Sequence, residues 1–276
     1  MTSARRGSNQ YRQHRPALEL HITVPLDDEP VLTALASSPN SSPQLLRQLS
    51  KHTDWPTLIG LANNPSCPPT TLWRLAAVPR LSSNIAQNPA CPPGLLQALH
   101  QRSCWLDLDL ARNPNSPPQL LRQLAQSDHG ITIRILVADH PRCPPRLLAT
   151  LVDDTSAGRR WRADLKDTET TSPCIRALAN PACPPSLLRT FSTHYVLRAT
   201  VAGNPSCPSE DLTRLAADTD PEVRSMVAGN PACPPHILNQ LLQDHDRQVA
   251  DLAAHHPSLP RATLAMWQLT HSGPGK

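Results

Sequence analysis

Apolar residues recur along this chain in short bursts with helical spacing, and a proline-rich corner separates each burst from the next. Leu120, Leu121, Leu124 and Ala125 form one such stripe, the pattern of a single helix face. A corner reads Val227-Ala228-Gly229-Asn230-Pro231-Ala232-Cys233-Pro234-Pro235, with an amphipathic run from His236 to Leu242 behind it. Each unit predicts a short helix, a corner and an amphipathic second helix.

The first proline of the corner falls at Pro39, Pro65, Pro89, Pro114, Pro141, Pro181, Pro205, Pro231 and Pro257. The period is about 25 residues, with one interval of about 40 between Pro141 and Pro181, and self-similarity at such a period marks a solenoid or array. The L-x-L strand of ordinary leucine-rich repeats is absent, and proline pairs stand in its place.

Alanine stands three residues before the marker proline in every unit except the one at Pro181. Asparagine immediately precedes it at Asn64, Asn88, Asn113, Asn180, Asn204 and Asn230. A residue before proline is pushed out of the α region, and asparagine tolerates the left-handed conformation of a helix end, so the first helix is expected to stop there. In the following Pro-Pro pair the second proline suits the first helical position, which places Pro234 at the N-cap and Pro235 at the first turn. Ser42-Pro43 in the first unit fits that register, because serine is a good N-cap. Cys233 then lies just outside the helix and Leu238 at its fourth position, the geometry of a hydrophobic staple. The same pairing joins Cys67, Cys91, Cys143, Cys183 and Cys207 to Leu72, Leu96, Leu148, Leu188 and Leu212.

The run Asn-Pro-x-Cys-Pro-Pro-x-Leu-Leu-x-x-Leu preceded by Val-Ala, together with Asp-Pro-Glu-Val-Arg at Asp220 to Arg224, resembles the leucine-rich repeat variant family. The resemblance runs from about Val31 to Trp267. It implies α-helices alternating with short 3-10 helices in a right-handed, all-α solenoid comparable to armadillo and HEAT stacks. Some members carry an amino-terminal cysteine cluster that holds a 4Fe–4S centre. Here the first cysteine is Cys67, so the leading segment has no such ligands. The family implies no single biochemical activity.

Composition adds limits. One Phe and two Tyr leave the core to Leu, Ala, Val and Ile, and the 32 prolines are periodic rather than scattered. A net charge of +4 neither demands nor excludes an anionic partner. No apolar run reaches the roughly 20 residues of a membrane span, and no secretory signal is recognisable. Six of the eight cysteines share one repeat position. Helices in neighbouring repeats pack about 8–10 Å apart, whereas a disulfide needs α-carbons within about 7 Å, so reduced thiols and a cytoplasmic location are expected. Residues 1–30 read as a tail and irregular cap with Leu18, Leu20, Ile22 and Val24 alternating, 31–272 as the solenoid, and 273–276 as a tail.

Candidate chemistry is sparse. The cysteine column has no Cys-x-x-Cys and one thiol per repeat, which favours the staple over a metal or redox ladder. Cys104 and Cys174, off the column, are expected in the core, and Asp107 and Asp109 at helix ends or on the surface. Arg134, Arg198 and Arg224 each stand seven residues before a marker, either as bridges between repeats or as a ligand-reading row. On the second helices Arg47, Trp73, Arg74, Arg122, Arg189 and Arg214 align as a broken basic and aromatic stripe, either a solvated face or a binding one. The insertion at about 153–171 concentrates Arg159, Arg160, Trp161 and Arg162. No phosphate loop, nucleophile with a base, or paired carboxylates at fixed spacing are found, so no cofactor or metal is expected. The expectation is a non-enzymatic scaffold that binds a protein or peptide through its elongated face and insertion loop. Nucleic-acid binding is the alternative, with a HEAT-like DNA-repair enzyme, resting on fold analogy alone, behind it.

Overall fold

Backbone hydrogen bonds account for where the chain turns. In each corner the residue before the marker proline accepts, through its carbonyl, the N–H of the residue three further on. Cys67 donates to Asn64 at 3.0 Å, Cys91 to Asn88 at 2.9 Å and Cys233 to Asn230 at 2.8 Å. This closes a β-turn whose second position is proline, where the ring's fixed φ fits without strain.

The computed structural model describes residues 28–126, 130–153 and 172–271, with only the backbone of the last two. The first helices of the nine units are α1 (Glu29–Ser37), α3 (Trp55–Asn63), α5 (Ser82–Gln87), α7 (Asp107–Arg112), α9 (Ile131–Asp139), α11 (Pro173–Ala179), α13 (Arg198–Gly203), α15 (Pro221–Ala228) and α17 (Arg247–Ala254). The second helices are α2 (Pro43–Leu49), α4 (Pro69–Leu75), α6 (Pro93–Arg102), α8 (Pro118–Gln126), α10 (Pro145–Asp153), α12 (Pro185–Phe191), α14 (Ser209–Leu215), α16 (Pro235–Leu241) and α18 (Arg261–His271). Among the described residues there is no strand, and the architecture is an all-α repeat solenoid. The second helices begin as the sequence predicts, with Pro234 capping and Pro235 in the first turn, and with Ser42 Oγ accepting the Leu45 N–H at 3.2 Å.

One open choice is settled and one expectation changes. The first helices, readable from the sequence as either α or 3-10, are α. The 3-10 turns Pro79–Leu81 and Cys104–Leu106 are lead-ins to α5 and α7. The corner asparagines are not left-handed. Asn64 sits at φ −72°, ψ 119° and Asn113 at φ −71°, ψ 121°, an extended conformation, and no non-glycine residue described has positive φ.

Their side chains explain the asparagines. Asn64 Nδ2 donates to the carbonyls of Ala36 and Ser38, at 2.6 and 2.8 Å, in the unit before it. Asn88 reaches Ala62 and Asn64 in the same way, and Asn113, Asn180, Asn204 and Asn230 continue the series. Each Oδ1 accepts the N–H two residues on, a local turn made by the side chain. Where histidine replaces asparagine, the bond to the preceding corner carbonyl and the bond from the N–H two residues on are kept, and the one to the alanine carbonyl is not made. Nε2 of His140 and His256 donates to the carbonyls of Asn113 and Asn230 at 2.8 and 2.9 Å, and Nδ1 accepts the N–H of Arg142 and Ser258. A carbonyl only accepts and a backbone N–H only donates, so both imidazoles are held as neutral Nε2–H tautomers. The result is one buried polar ladder from Ser38 to Ser258.

Apolar packing fills the space between the two helix rows. The alanines before the corners, Leu178 in their place before Pro181, and the second-helix leucines Leu46, Leu72, Leu96, Leu121, Leu148, Leu188, Leu212 and Leu238 are almost fully buried. Burying each leucine contributes about 1.5–3 kcal/mol. First helices also pack directly on one another. At Gly60 a Cβ would stand 2.6 Å from Ser37 Oγ and 3.1 Å from Ala36 Cβ, so α3 approaches α1 closely there. Close backbone approach is extensive along the first-helix row and sparse along the second, which puts the first row on the inner side of the curve. The stack also continues across 154–171, because α9 packs on α11 and Asn180 bonds the carbonyls of Ala138 and His140.

Candidate partner-binding surface

The second helices bury the residues seven past each marker and turn the eighth outward. That eighth position is Arg47 on α2, Trp73 on α4, Gln97 on α6, Arg122 on α8 and Arg189 on α12, all exposed except the half-buried Gln97; Arg74 and Arg214 stand one residue on. The structure therefore places every described member of the expected stripe on the outer wall. Arg159, Arg160, Trp161 and Arg162 lie outside the described residues, as does the alternating Leu18 to Val24 segment. Side chains of adjacent second helices meet, as Gln97 Nε2 donates to Gln123 Oε1 at 2.6 Å. Trp73 extends toward the next unit, its ring 3.8 Å from where a Cβ on Gly94 would be.

Two members of the stripe already hold carboxylates. Arg189 Nη2 is 3.1 Å from Glu210 Oε2 and its Nε is 3.5 Å from Asp211 Oδ2, while Arg214 Nη2 is 3.1 Å from Asp211 Oδ1. Sequence reasoning missed this. Glu210 and Asp211 open α14, and their reach back to α12 depends on how successive repeats stand side by side.

Of the three arginines seven residues before a marker, Arg198 and Arg224 are bridges between repeats. Arg198 donates from Nε to Asp218 Oδ2 at 2.8 Å and lies over the Tyr195 ring at 4.7 Å. Arg224 donates from Nε and Nη2 to Asp244 at 2.7 and 2.9 Å and from Nη1 to the Asp218 carbonyl at 2.8 Å. Burial alone would raise the Asp244 carboxyl, but the Arg224 hydrogen bonds, the Asp246 N–H and the Arg224 charge together hold it below the ordinary range. Asp218 is held down in the same way by Arg198.

The cysteine column lies in the core as expected, with burial pushing Cys67, Cys91, Cys143 and Cys207 up to about 12 and Cys183 and Cys233 to about 11. Cys174 is buried too, but Cys104 is exposed, because the 3-10 turn that holds it also sends Trp105 into solvent, 90 % exposed. Asp107 is a helix-end charge, the first residue of α7, and not a surface one. It is 2 % exposed and bonded to His100 Nδ1 at 2.8 Å. An open cavity of about 480 Å³ lies between α1 and α3, lined by Thr33, Ser37, Trp55, Pro56, Ile59, Gly60 and Asn63. Among the described residues there is no cluster of metal-ligating side chains, and no helix is long and apolar enough to cross a membrane.

The family model described as Leucine Rich Repeat Variant domain matches residues 56–103 and 198–257. A solved structure titled "A leucine-rich repeat variant with a novel repetitive protein structural motif" is similar at 21% identity over 81% of this chain and 88% of that chain, with a TM-score of 0.42. No curated protein matches. The matched segments carry the Asn-Pro-x-Cys-Pro corner of the ladder described above, and the unit they contain recurs from Glu29 to His271: over these two segments the chain is similar to the leucine-rich repeat variant family.

Proposed function

We propose that the chain is a non-enzymatic scaffold that binds a protein or peptide through its second-helix wall and its insertion. The observation that carries this reading is the division of labour between repeat positions. Corner and core residues are nearly uniform from unit to unit, while the outward eighth position varies freely among Arg, Trp, Gln, Ala, Thr and Asn. A stack held together by its own ladder can present such a series without any special chemistry. The eight thiols, all unpaired, belong with a reducing, cytoplasmic setting in this reading.

The insertion is part of the proposal. Arg159, Arg160 and Arg162 offer guanidinium groups to carboxylates, with Trp161 supplying contact area. Two variants test it: deletion of residues 155–169, and alanine at all three arginines. The unbroken packing of α9 on α11 predicts native helicity for both. Capture of cross-linked partners from the native host, with and without nuclease, should weaken in both variants and survive nuclease. Partner capture that vanishes on nuclease treatment would instead make this a nucleic-acid binder.

A further inference from the structure

The outer wall contains its own example of how it takes an anion. Arg189 stands eight residues past its marker, and Glu210 stands five past the marker of the next unit. Their side chains meet at 3.1 Å, so a carboxylate fills the slot between α12 and α14. The same two positions face one another elsewhere, as the approach of Trp73 to Gly94 at 3.8 Å shows for α4 and α6.

In the first half of the stack the chain leaves these slots without an acid. Between α8 and α10 the two positions are Arg122 and Arg146, both exposed, and between α2 and α4 they are Arg47 and Thr70. The helices α2, α4, α6 and α8 contain no aspartate or glutamate at all. Two like charges in register where another pair of repeats has Arg and Glu are a complement to a carboxylate from outside.

We propose that the second-helix wall of repeats one to five binds an extended acidic peptide segment. Its carboxylates enter the Arg122–Arg146 and Arg47 slots, and its chain crosses the Trp73 ring between them. The inference rests on the scaffold reading above and names its partner chemistry. Neighbouring helices stand about 8–10 Å apart. A polyproline-type strand brings every third side chain to one face at about 9 Å, because it rises about 3.1 Å per residue. A nucleic-acid duplex carries a charge about every 1.7 Å of its axis, far denser than one slot per repeat.

The test uses the full chain and a fluorescein-labelled peptide of four Glu-Pro-Pro triplets, read by anisotropy at low salt. The glutamine counterpart of that peptide and a twelve-nucleotide oligothymidylate serve as comparators. The glutamate peptide should bind at least roughly tenfold more tightly than the glutamine one, the usual worth of a charge-assisted contact. Arg146→Glu, which supplies the slot from within as Glu210 does, should cost roughly tenfold or more, and so should joint Arg122→Ala and Arg146→Ala, all with parental circular dichroism. Equal binding of the two peptides, unchanged affinity in Arg146→Glu, or tighter binding of the oligothymidylate overturns the proposal. If the peptide fails while cross-linked protein partners are still captured equally by parent and Arg146→Glu, the scaffold reading stands and this face is wrong. If no protein partner is captured at all, both fail.

Discussion

Replacing Asn113 with alanine is the sharpest test of the ladder. Its Nδ2 donates to the carbonyls of Ala86 and Asn88 at 2.6 and 2.9 Å, and its Oδ1 accepts the Asn115 N–H at 2.9 Å, all at a site 1% exposed. Each buried bond is worth about 0.5–1.5 kcal/mol, so the three together give roughly 2–4 kcal/mol. The Asn88 carbonyl keeps the Cys91 N–H at 2.9 Å, so the Ala86 carbonyl and the Asn115 N–H bear most of the loss. Histidine should cost less than alanine, because His140 and His256 keep the bond to the preceding corner carbonyl and the bond from the N–H two residues on, and give up only the bond to the alanine carbonyl. Aspartate should be worse than alanine, since it cannot donate and would bury a charge against two carbonyls.

Denaturant midpoints measure the totals, and amide exchange locates them. Repeats touch only their neighbours, so the opening should be local to the third and fourth units. A loss of about 3 kcal/mol speeds exchange there by roughly a hundredfold. An alanine variant within about 0.5 kcal/mol of the parent, or a histidine variant as damaging as the alanine one, would refute the claim that the side-chain ladder joins the repeats.

The remaining expectations concern titration. Burial is the main reason that the His140 imidazole lies below its ordinary value of about 6.5; the Arg142 charge adds to it and the Asn113 carbonyl opposes it. The folded pKa is depressed, so the unfolded chain takes up the proton first. The stabilisation is complete above about pH 6.5 and is lost as pH falls below it toward the folded value. His140→Asn should remove that part of the slope, seen as a smaller difference between midpoints at pH 7.5 and pH 5; an unchanged slope counts against the neutral tautomer. Asp244, also depressed, contributes stability above its unfolded pKa of about 3.9 that disappears only in stronger acid, so its window is separate. Asp244→Asn should cost about 3–5 kcal/mol in denaturant titration at pH 7, because it removes the carboxylate hydrogen-bonded to the buried Arg224 guanidinium, and a loss below 1 kcal/mol would contradict that.

Much of this fold could be read from order along the chain. Prolines at fixed offsets set the corners, the leucines seven past each marker set the core, and Pro234-Pro235 set the helix start. What could not be read is lateral. Asparagine before proline looks like a backbone preference in one dimension, and only the neighbouring repeat reveals Ala36 and Ser38 as its acceptors. His140 and His256 look like lapses in a pattern until their ring nitrogens are seen making two of the asparagine's three bonds. Arg224 was legible as a bridge because its partner lies one repeat on, whereas Cys104 misled because its apolar neighbours belong to a turn that points outward.

The same separation explains how one stack can be both uniform and specific. Every bond that joins one repeat to the next through the ladder uses the corner residue and main-chain atoms of its neighbour, and none uses the eighth position past the marker. Leucines at the seventh position face inward and saturate the core. The intervening wall residue can therefore pass from Arg47 to Trp73, Gln97, Arg122 and Ala149 without disturbing either system. Where the wall does make internal contacts, as Arg189 does with Glu210, the pair is largely exposed and worth no more than about 1 kcal/mol, too little to constrain the stack. Stability is written in the corners and the core, and what the surface recognises is written one residue per repeat.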